Sequence, residues 1–294
     1  MKISPECYQC LQRLIHQAAI LATDNNLLKQ KAIKEALRIL DDEFSYDQIS
    51  IVIATKIHQV IKEITHNPDP YRRMKEKEMA IARELYPELS LRAEAASRRR
   101  GRKRSNLYKD DFEGCLKLAA AANAIDFFRE SGIIKEDMGK SISFTIDDSQ
   151  RFEAKLRKAS KVLYLADNAG EVYFDLPLVK KMRQFADVIY VVKPLPVQND
   201  ATLEDISNAG LESDFGKVIT TGVASPGIVF TLASTQFKQE FASADLIFAK
   251  GMGHYEALSE LPEQGKFFYC LMAKCKPVAD SLGVPMNSYV AMLQ

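Results

Sequence analysis

The chain has 294 residues, of which 47% are apolar and 27% charged, and its formal net charge is +1; it is long enough for one large core or two modest ones and too near neutrality for a general attraction to nucleic acid or membrane. No uninterrupted apolar run approaches the ~18 residues of a membrane span, and the opening "MKISPECYQC" lacks the basic-then-apolar pattern of a secretion signal. Five cysteines are too few, and odd in number, for a disulfide scaffold, so the expectation is a cytoplasmic protein of two domains with reduced thiols.

The first part of the chain reads as helices. In "CLQRLIHQAAILA", "LLKQKAIKEALRIL" and "IVIATKIHQVIKEI" apolar residues recur three and four apart, the spacing of one buried helical stripe. "NPDP" at Asn67 to Pro70 interrupts the pattern, because proline neither continues a helix nor lets its predecessor do so easily. A further helix, "YRRMKEKEMAIARELY", is expected to stop at Pro87, and "DDFEGCLKLAAAANAIDFF" makes another. Residues 1–130 are therefore assigned to a helical N-terminal domain.

Residues 131–294 change rhythm. The strand candidates "KVLYLA", "DVIYVV", "KVIT", "DLIFA", "KFFYCLM" and "PMNSYVAML" alternate with helical stretches such as "VYFDLPLVKKMRQF" and "PGIVFTLASTQFKQEF". Such alternation predicts an α/β domain, a mostly parallel sheet in three layers with helices on both faces. Sheets of this kind take their ligands at the carboxyl ends of the strands.

Polar residues gather at those ends. "KVLYLA" runs into Asp167 and Asn168, "DVIYVV" is followed by "KPLPVQND" with Asp200, "KVIT" by Thr221-Gly222, and "DLIFA" by Lys250-Gly251. On spacing alone, helix capping is the simpler role for Asp167 and Asp200. Together with Asn168, however, they make an all-oxygen donor set suited to Mg²⁺ or Mn²⁺ and acceptable to Co²⁺ or Ni²⁺, whereas zinc prefers His or Cys. Lys250 beside flexible glycine backbone could hold phosphate oxygens. Neither the Walker pattern nor G-x-G-x-x-G follows a strand, which leaves ATP and NAD unsupported.

"DNAGE", "NDAT", "AKGMGHYEAL", "AAAANAIDF" and "AKCKPVADSLGV" together resemble the metal-dependent damage-control phosphatases, also called acidic-residue-methyltransferase-like, in their short stand-alone form with an N-terminal C-x-x-C. The resemblance spans nearly the whole chain. It implies a helical domain against an α/β domain, with one divalent metal in the cleft between them held by Asp167, Asn168 and Asp200. Asn123 and Asp126 match the helical motif that faces this site, Lys250 matches the lysine that meets the phosphate, and Glu171 and Gly251 fall among the substrate contacts. The implied activity is hydrolysis of small phosphorylated metabolites, such as sugar phosphates or damaged phosphometabolites. Whether water or Asp167 attacks phosphorus stays open.

His254 stands where that family usually has asparagine; a hydrogen-bonding substitute is the simpler reading, and a group titrating near neutrality the sharper one. Cys7 and Cys10 have metal or redox spacing, with Cys270, Cys275 or His16 as distant partners for a zinc ion, although half-buried thiols account for them as well. "RRRGRKR", Arg98 to Arg104, has no aromatic residue for base stacking and reads as a solvated linker in preference to an RNA contact. A methyltransferase using S-adenosylmethionine would need a glycine-rich strand-to-helix loop that this sequence does not show.

Overall fold

The structure, a computed structural model, describes residues 1–98, 111–123, 142–262 and 265–294. Helices α1 (Pro5–Ala22), α2 (Asn26–Glu43) and α3 (Ser50–Thr65) open the chain. Their apolar stripes meet in a small core of their own, where Ile15, Leu40, Ile57 and Ile61 are fully buried. His66, in the left-handed region at φ 53°, ends α3 just before "NPDP".

Helix α4 (Arg72–Arg98) does not stop at Pro87 but runs through it. An interior proline loses one backbone hydrogen bond and crowds the preceding turn, at a cost of about 3 kcal/mol. The turn before it is anchored by Ile81, Ala82 and Leu85, buried in the main core, and that packing offsets the cost. Helix α5 (Phe112–Asn123) presents four consecutive buried alanines, Ala119 to Ala122, to the same core. The helical core thus closes with α1 to α3 and the start of α4. Ile81, Ala82 and Leu85 of α4, and α5, pack into the core on one face of the sheet; the division expected near residue 130 lies outside the described residues.

Seven strands form one sheet: β1 (Phe144–Asp147), β2 (Lys161–Leu165), β3 (Asp187–Val192), β4 (Val218–Thr220), β5 (Leu246–Lys250), β6 (Phe267–Met272) and β7 (Tyr289–Leu293), in the order β1-β7-β6-β5-β2-β3-β4. Every neighbouring pair is parallel except β6 with β7. The sequence reading finds six of these strands and misses β1, a four-residue edge strand in which half-buried and exposed residues alternate. Between strands lie α6 (Ser149–Leu156), α7 (Val172–Met182), α8 (Leu203–Ala209), α9 (Glu212–Phe215), α10 (Thr235–Ser243), α11 (Gly251–Leu258) and α12 (Lys276–Leu282).

Successive residues of β2 enter different cores. Val162 and Tyr164 join the layer of α5, α6 and α7, whereas Leu163 and Leu165 join that of α10, α11 and α12. This is the expected three-layer α/β arrangement, and it explains why the central strands are apolar without alternation. On one face the register places Tyr190, Tyr164, Phe248 and Phe268 side by side on β3, β2, β5 and β6. Their rings stack at centroid distances of 5.2, 4.6 and 5.4 Å, and each such pair contributes about 0.5–1.5 kcal/mol beyond burial.

"PGIVFTLASTQFKQEF" is only half a helix. Residues 226–234 form a loop with a 3-10 turn at Phe230–Leu232, and α10 begins after the Ser234 cap, whose hydroxyl accepts from Phe237 N–H. The loop is held by contact: a Cβ on Gly227 (φ +79°) would lie 2.3 Å from the Gly253 carbonyl oxygen. Only glycine permits that approach.

Candidate active site at the strand ends

From β2 the chain steps outward to β3 and β4, then returns to place β5 on the other side of β2. The carboxyl ends of β2 and β5 therefore border the switch point, where open α/β sheets leave a crevice. Two loops are joined there by backbone. Ala201 N–H donates to the Asp167 carbonyl at 2.8 Å, Ala169 N–H to the Asn199 carbonyl at 2.8 Å, and Asn168 faces Asp200 in an isolated bridge. This pairing carries Asp200, distant in sequence, to the side of Asp167.

Neither aspartate caps a helix. Thr202 caps α8, its hydroxyl accepting from Asp205 N–H while Asp205 Oδ2 accepts from Thr202 N–H, and Asn168 heads the 3-10 turn Ala169–Glu171 with no side-chain cap bond. The carboxylates of Asp167 and Asp200 are thus left for the crevice. Asp167 Oδ2 accepts from Asn123 Nδ2 at 2.8 Å and Asn168 Nδ2 at 3.2 Å. Asn123 in turn accepts Met272 N–H at 3.1 Å, which ties α5 to the end of β6.

Lys250 does not reach the cleft. Its ammonium is completely buried, 2.5 Å from Glu171 Oε2 and 2.5 Å from Asp175 Oδ1. The two carboxylates raise its pKa against the desolvation that would lower it. Glu171 also lies beneath the surface, accepting from Asn168 Nδ2 at 2.6 Å and Asn123 Nδ2 at 3.1 Å, and Tyr190 donates to the far side of Asp175 at 2.7 Å. A hydrogen-bonded floor therefore runs from Tyr190 through Asp175, Lys250 and Glu171 to the two asparagines and Asp167. Gly251, at φ +78°, passes so near that a Cβ would fall 2.0 Å from Asp167 Oδ2.

His254 is equally enclosed. Its Nδ1 lies 2.7 Å from the Lys250 carbonyl, and burial, with Lys193 adding, pushes its pKa down to about 3. An imidazole so buried stays neutral near pH 7. Asp126 lies outside the described residues, as does "RRRGRKR" apart from the backbone of Arg98.

A cleft of about 290 Å³ opens over Asp167, Asn168, Asp200 and Asn123, with Glu78 and Lys274 on its walls. Sequence reasoning missed both of those, and Lys193 as well. Glu78 comes from α4 and accepts from Asn199 Nδ2, whereas Lys274 follows β6 and makes no ion pair among the described residues. Lys193, buried at the end of β3, lies 3.5 Å from Asp200 Oδ2 and donates to the Gly227 carbonyl. For Lys193 and Lys274 the strand-end rule was signal enough, since each stands immediately or two places after its strand. Glu78 had none, because its place depends on how α4 packs.

Negative charge is in excess here. Burial raises the pKa of both aspartates; Glu171 and Asp200 raise Asp167 further, while Lys193 opposes the shift at Asp200. Among the described residues Asp200 Oδ2 is buried without a hydrogen-bond donor, with only the Lys193 ammonium 3.5 Å away. Among the described residues no three His, Cys, Asp or Glu side chains form a metal-binding group, and the oxygen set at this crevice is two carboxylates and the amide of Asn168.

A three-layer α/β domain whose switch-point crevice is acidic and walled by an N-terminal helix defines an enzyme-like architecture. The sequence carries it to a family. Residues 3–290 match the model of the damage-control phosphatase ARMT1-like domain, and the chain belongs to that family. It is 34% identical to a damage-control phosphatase of Pyrococcus horikoshii, covering 99% of this chain and 98% of that one. A damage-control phosphatase of Archaeoglobus fulgidus is 30% identical over 99% of both chains. The crystal structure of a DUF89 family protein from Pyrococcus horikoshii superposes with a TM-score of 0.88 at 32% identity, covering 100% of this chain and 99% of its own.

Proposed function

We propose that the protein is a metal-dependent phosphatase that hydrolyses phosphate monoesters of small metabolites, with its site in the cleft over Asp167 and Asp200. The observation that carries this reading is the pair of converging carboxylates at the switch point, one with a buried oxygen that has no hydrogen-bond donor among the described residues and only the Lys193 ammonium, 3.5 Å away, against it. Asp167, Asn168 and Asp200 would hold one Mn²⁺, Co²⁺, Ni²⁺ or Mg²⁺, hard-oxygen chemistry that suits these ions and relieves the local excess of negative charge. Such an ion, when bound, offsets charge on the phosphoryl oxygens.

The chain's own groups do the rest. Asn123 and Asn168 both donate to Asp167 Oδ2, which fixes the carboxylate plane and leaves Oδ1 free of side-chain donors. That single free oxygen would serve as the ligand, which favours water over Asp167 as the attacking group. Lys274 and the N-terminal end of α11, where Met252 and Gly253 line the cleft, supply positive potential to the equatorial oxygens. Lys250 positions: it holds Glu171 in place under Asn123 and Asn168.

The deciding experiment measures phosphate release from sugar phosphates and a chromogenic ester, using protein stripped of metal and resupplied with each ion. Activity restored by metal and absent from Asp167→Ala is the expected result. Full activity in Asp167→Ala, or silence of folded wild-type protein with every ion, would sink the reading.

A further inference from the structure

Glu78 is buried, only 1% exposed, yet it lines the cleft. Its sole hydrogen-bond partner among the described residues is the neutral Asn199 amide, whose Nδ2 lies 3.1 and 3.2 Å from the two carboxyl oxygens. It makes no ion pair among the described residues, and the lysine one turn before it, Lys75, is committed to Asp205 at 2.8 Å and Asp69 at 3.8 Å. A buried carboxylate with one neutral donor is poorly solvated, so the protonated form is favoured. Burial pushes its pKa up to about 8; Glu171 adds to the shift, while Asn199, Lys75 and Lys274 oppose it. Asn199 is itself held, since its carbonyl accepts Ala169 N–H and its neighbour is Asp200. An acid that keeps its proton near neutrality is thus fixed beside the candidate phosphoryl site, on the wall contributed by α4.

We propose that Glu78 is the general acid that protonates the leaving oxygen during ester cleavage, an inference that rests on the phosphatase reading above. Water adds its oxygen to phosphorus while the ester P–O bond breaks, and the electron pair of that bond stays on the leaving oxygen. Glu78 gives its proton to that oxygen, releasing an alcohol. Of the two protons on the attacking water, one remains on the product phosphate and the other restores Glu78. The role matters most for alkyl leaving groups, whose alkoxides are strongly basic, and least for an aryl leaving group such as p-nitrophenolate, which departs without help.

The test compares glycerol 2-phosphate with p-nitrophenyl phosphate, using Mn²⁺-loaded wild type, Glu78→Gln and Glu78→Asp, with urea denaturation confirming that each is folded. In Glu78→Gln the alkyl ester should lose about 100-fold or more in kcat while the aryl ester loses less than about tenfold. Glu78→Asp, still an acid, should recover part of the alkyl rate. An equal loss on both esters, or no loss on either, overturns the general-acid role. Wild-type protein inactive on both esters overturns the phosphatase reading beneath it, a result distinct from either.

Discussion

Removing the Lys250 ammonium would leave Glu171 and Asp175 as two carboxylates, each about 1% exposed, with no cation between them. Breaking a buried pair from one side costs about 3–5 kcal/mol, far more than the intact pair contributes over an apolar substitute. Lys250→Met should therefore lower unfolding free energy by about that amount in urea denaturation, and Lys250→Met/Asp175→Asn should regain part of it. Unchanged stability in the single variant would mean that the floor of the site is not held by this lysine. A second residue makes a pH-dependent demand. His58 sits in the helical core, its Nε2 without a hydrogen-bond partner among the described residues and its ring edge-on to Tyr71, and burial pushes its pKa down to about 3. The unfolded chain protonates near 6.5, so below that pH it binds a proton the folded chain refuses. The stability in question is full above about pH 6.5 and is lost as pH falls toward 3, at about 1.4 kcal/mol per unit. Against His58→Asn, each referenced to its value at pH 7.5, wild type should lose that increment between pH 6 and 4; parallel curves would refute the assignment.

At the scale of elements, α4 is the piece that turns a strand-end crevice into a walled cleft. It is pinned by one carboxylate oxygen with two duties: Asp205 Oδ2 takes Lys75 Nζ at 2.8 Å and also Thr202 N–H at 2.9 Å in the cap of α8. Groups sharing one network do not act independently, and coupling energies of about 0.5–3 kcal/mol are usual. A double-mutant cycle with Lys75→Met and Asp205→Asn should show non-additive losses in that range, whereas strictly additive losses would mean that the wall and the cap are separate. This wall also marks where sequence reading stopped. The strands were legible because buried parallel strands are continuous apolar runs, and the polar residues at their ends were legible because the topology concentrates ligands there. Asp167, Asn168, Asp200 and Asn123 could be named on that basis together with the family resemblance. The burial of Lys250 could not, since a lysine at a strand end reads the same whether it points into a cleft or between two carboxylates. Glu78 sits in "KEKEMAIARELY", where nothing local separates it from the charged residues around it, and Pro87 misled because its cost is local while the packing that offsets it is not.

Seen as a whole, the molecule joins three cores around one acidic cleft, and its net charge of +1 conceals a local surplus of carboxylates. Asp167 and Asp200 face the cleft, with Glu171 just below, and the buried Asp200 oxygen has no hydrogen-bond donor among the described residues, only the Lys193 ammonium at 3.5 Å. This arrangement stores an electrostatic cost in the metal-free protein, so an ion bound there should stabilise the entire fold, because the loops it joins descend from β2 and β3 and abut α4. Binding to the native state alone contributes RT ln(1 + [L]/Kd), about 2.7 kcal/mol at a hundredfold excess over Kd. For a chain of this size each kcal/mol corresponds to about 2–4 °C in Tm, so Mn²⁺ at that excess should raise Tm by about 5–10 °C over chelator-treated protein. Asp200→Asn removes a ligand charge and should abolish most of the rise, and it also breaks the buried ion pair with Lys193 at 3.5 Å. Without metal the variant is expected to melt below metal-free wild type, because the buried Lys193 loses its carboxylate, and still to gain little from the ion. Equal shifts in both proteins would place the bound ion elsewhere.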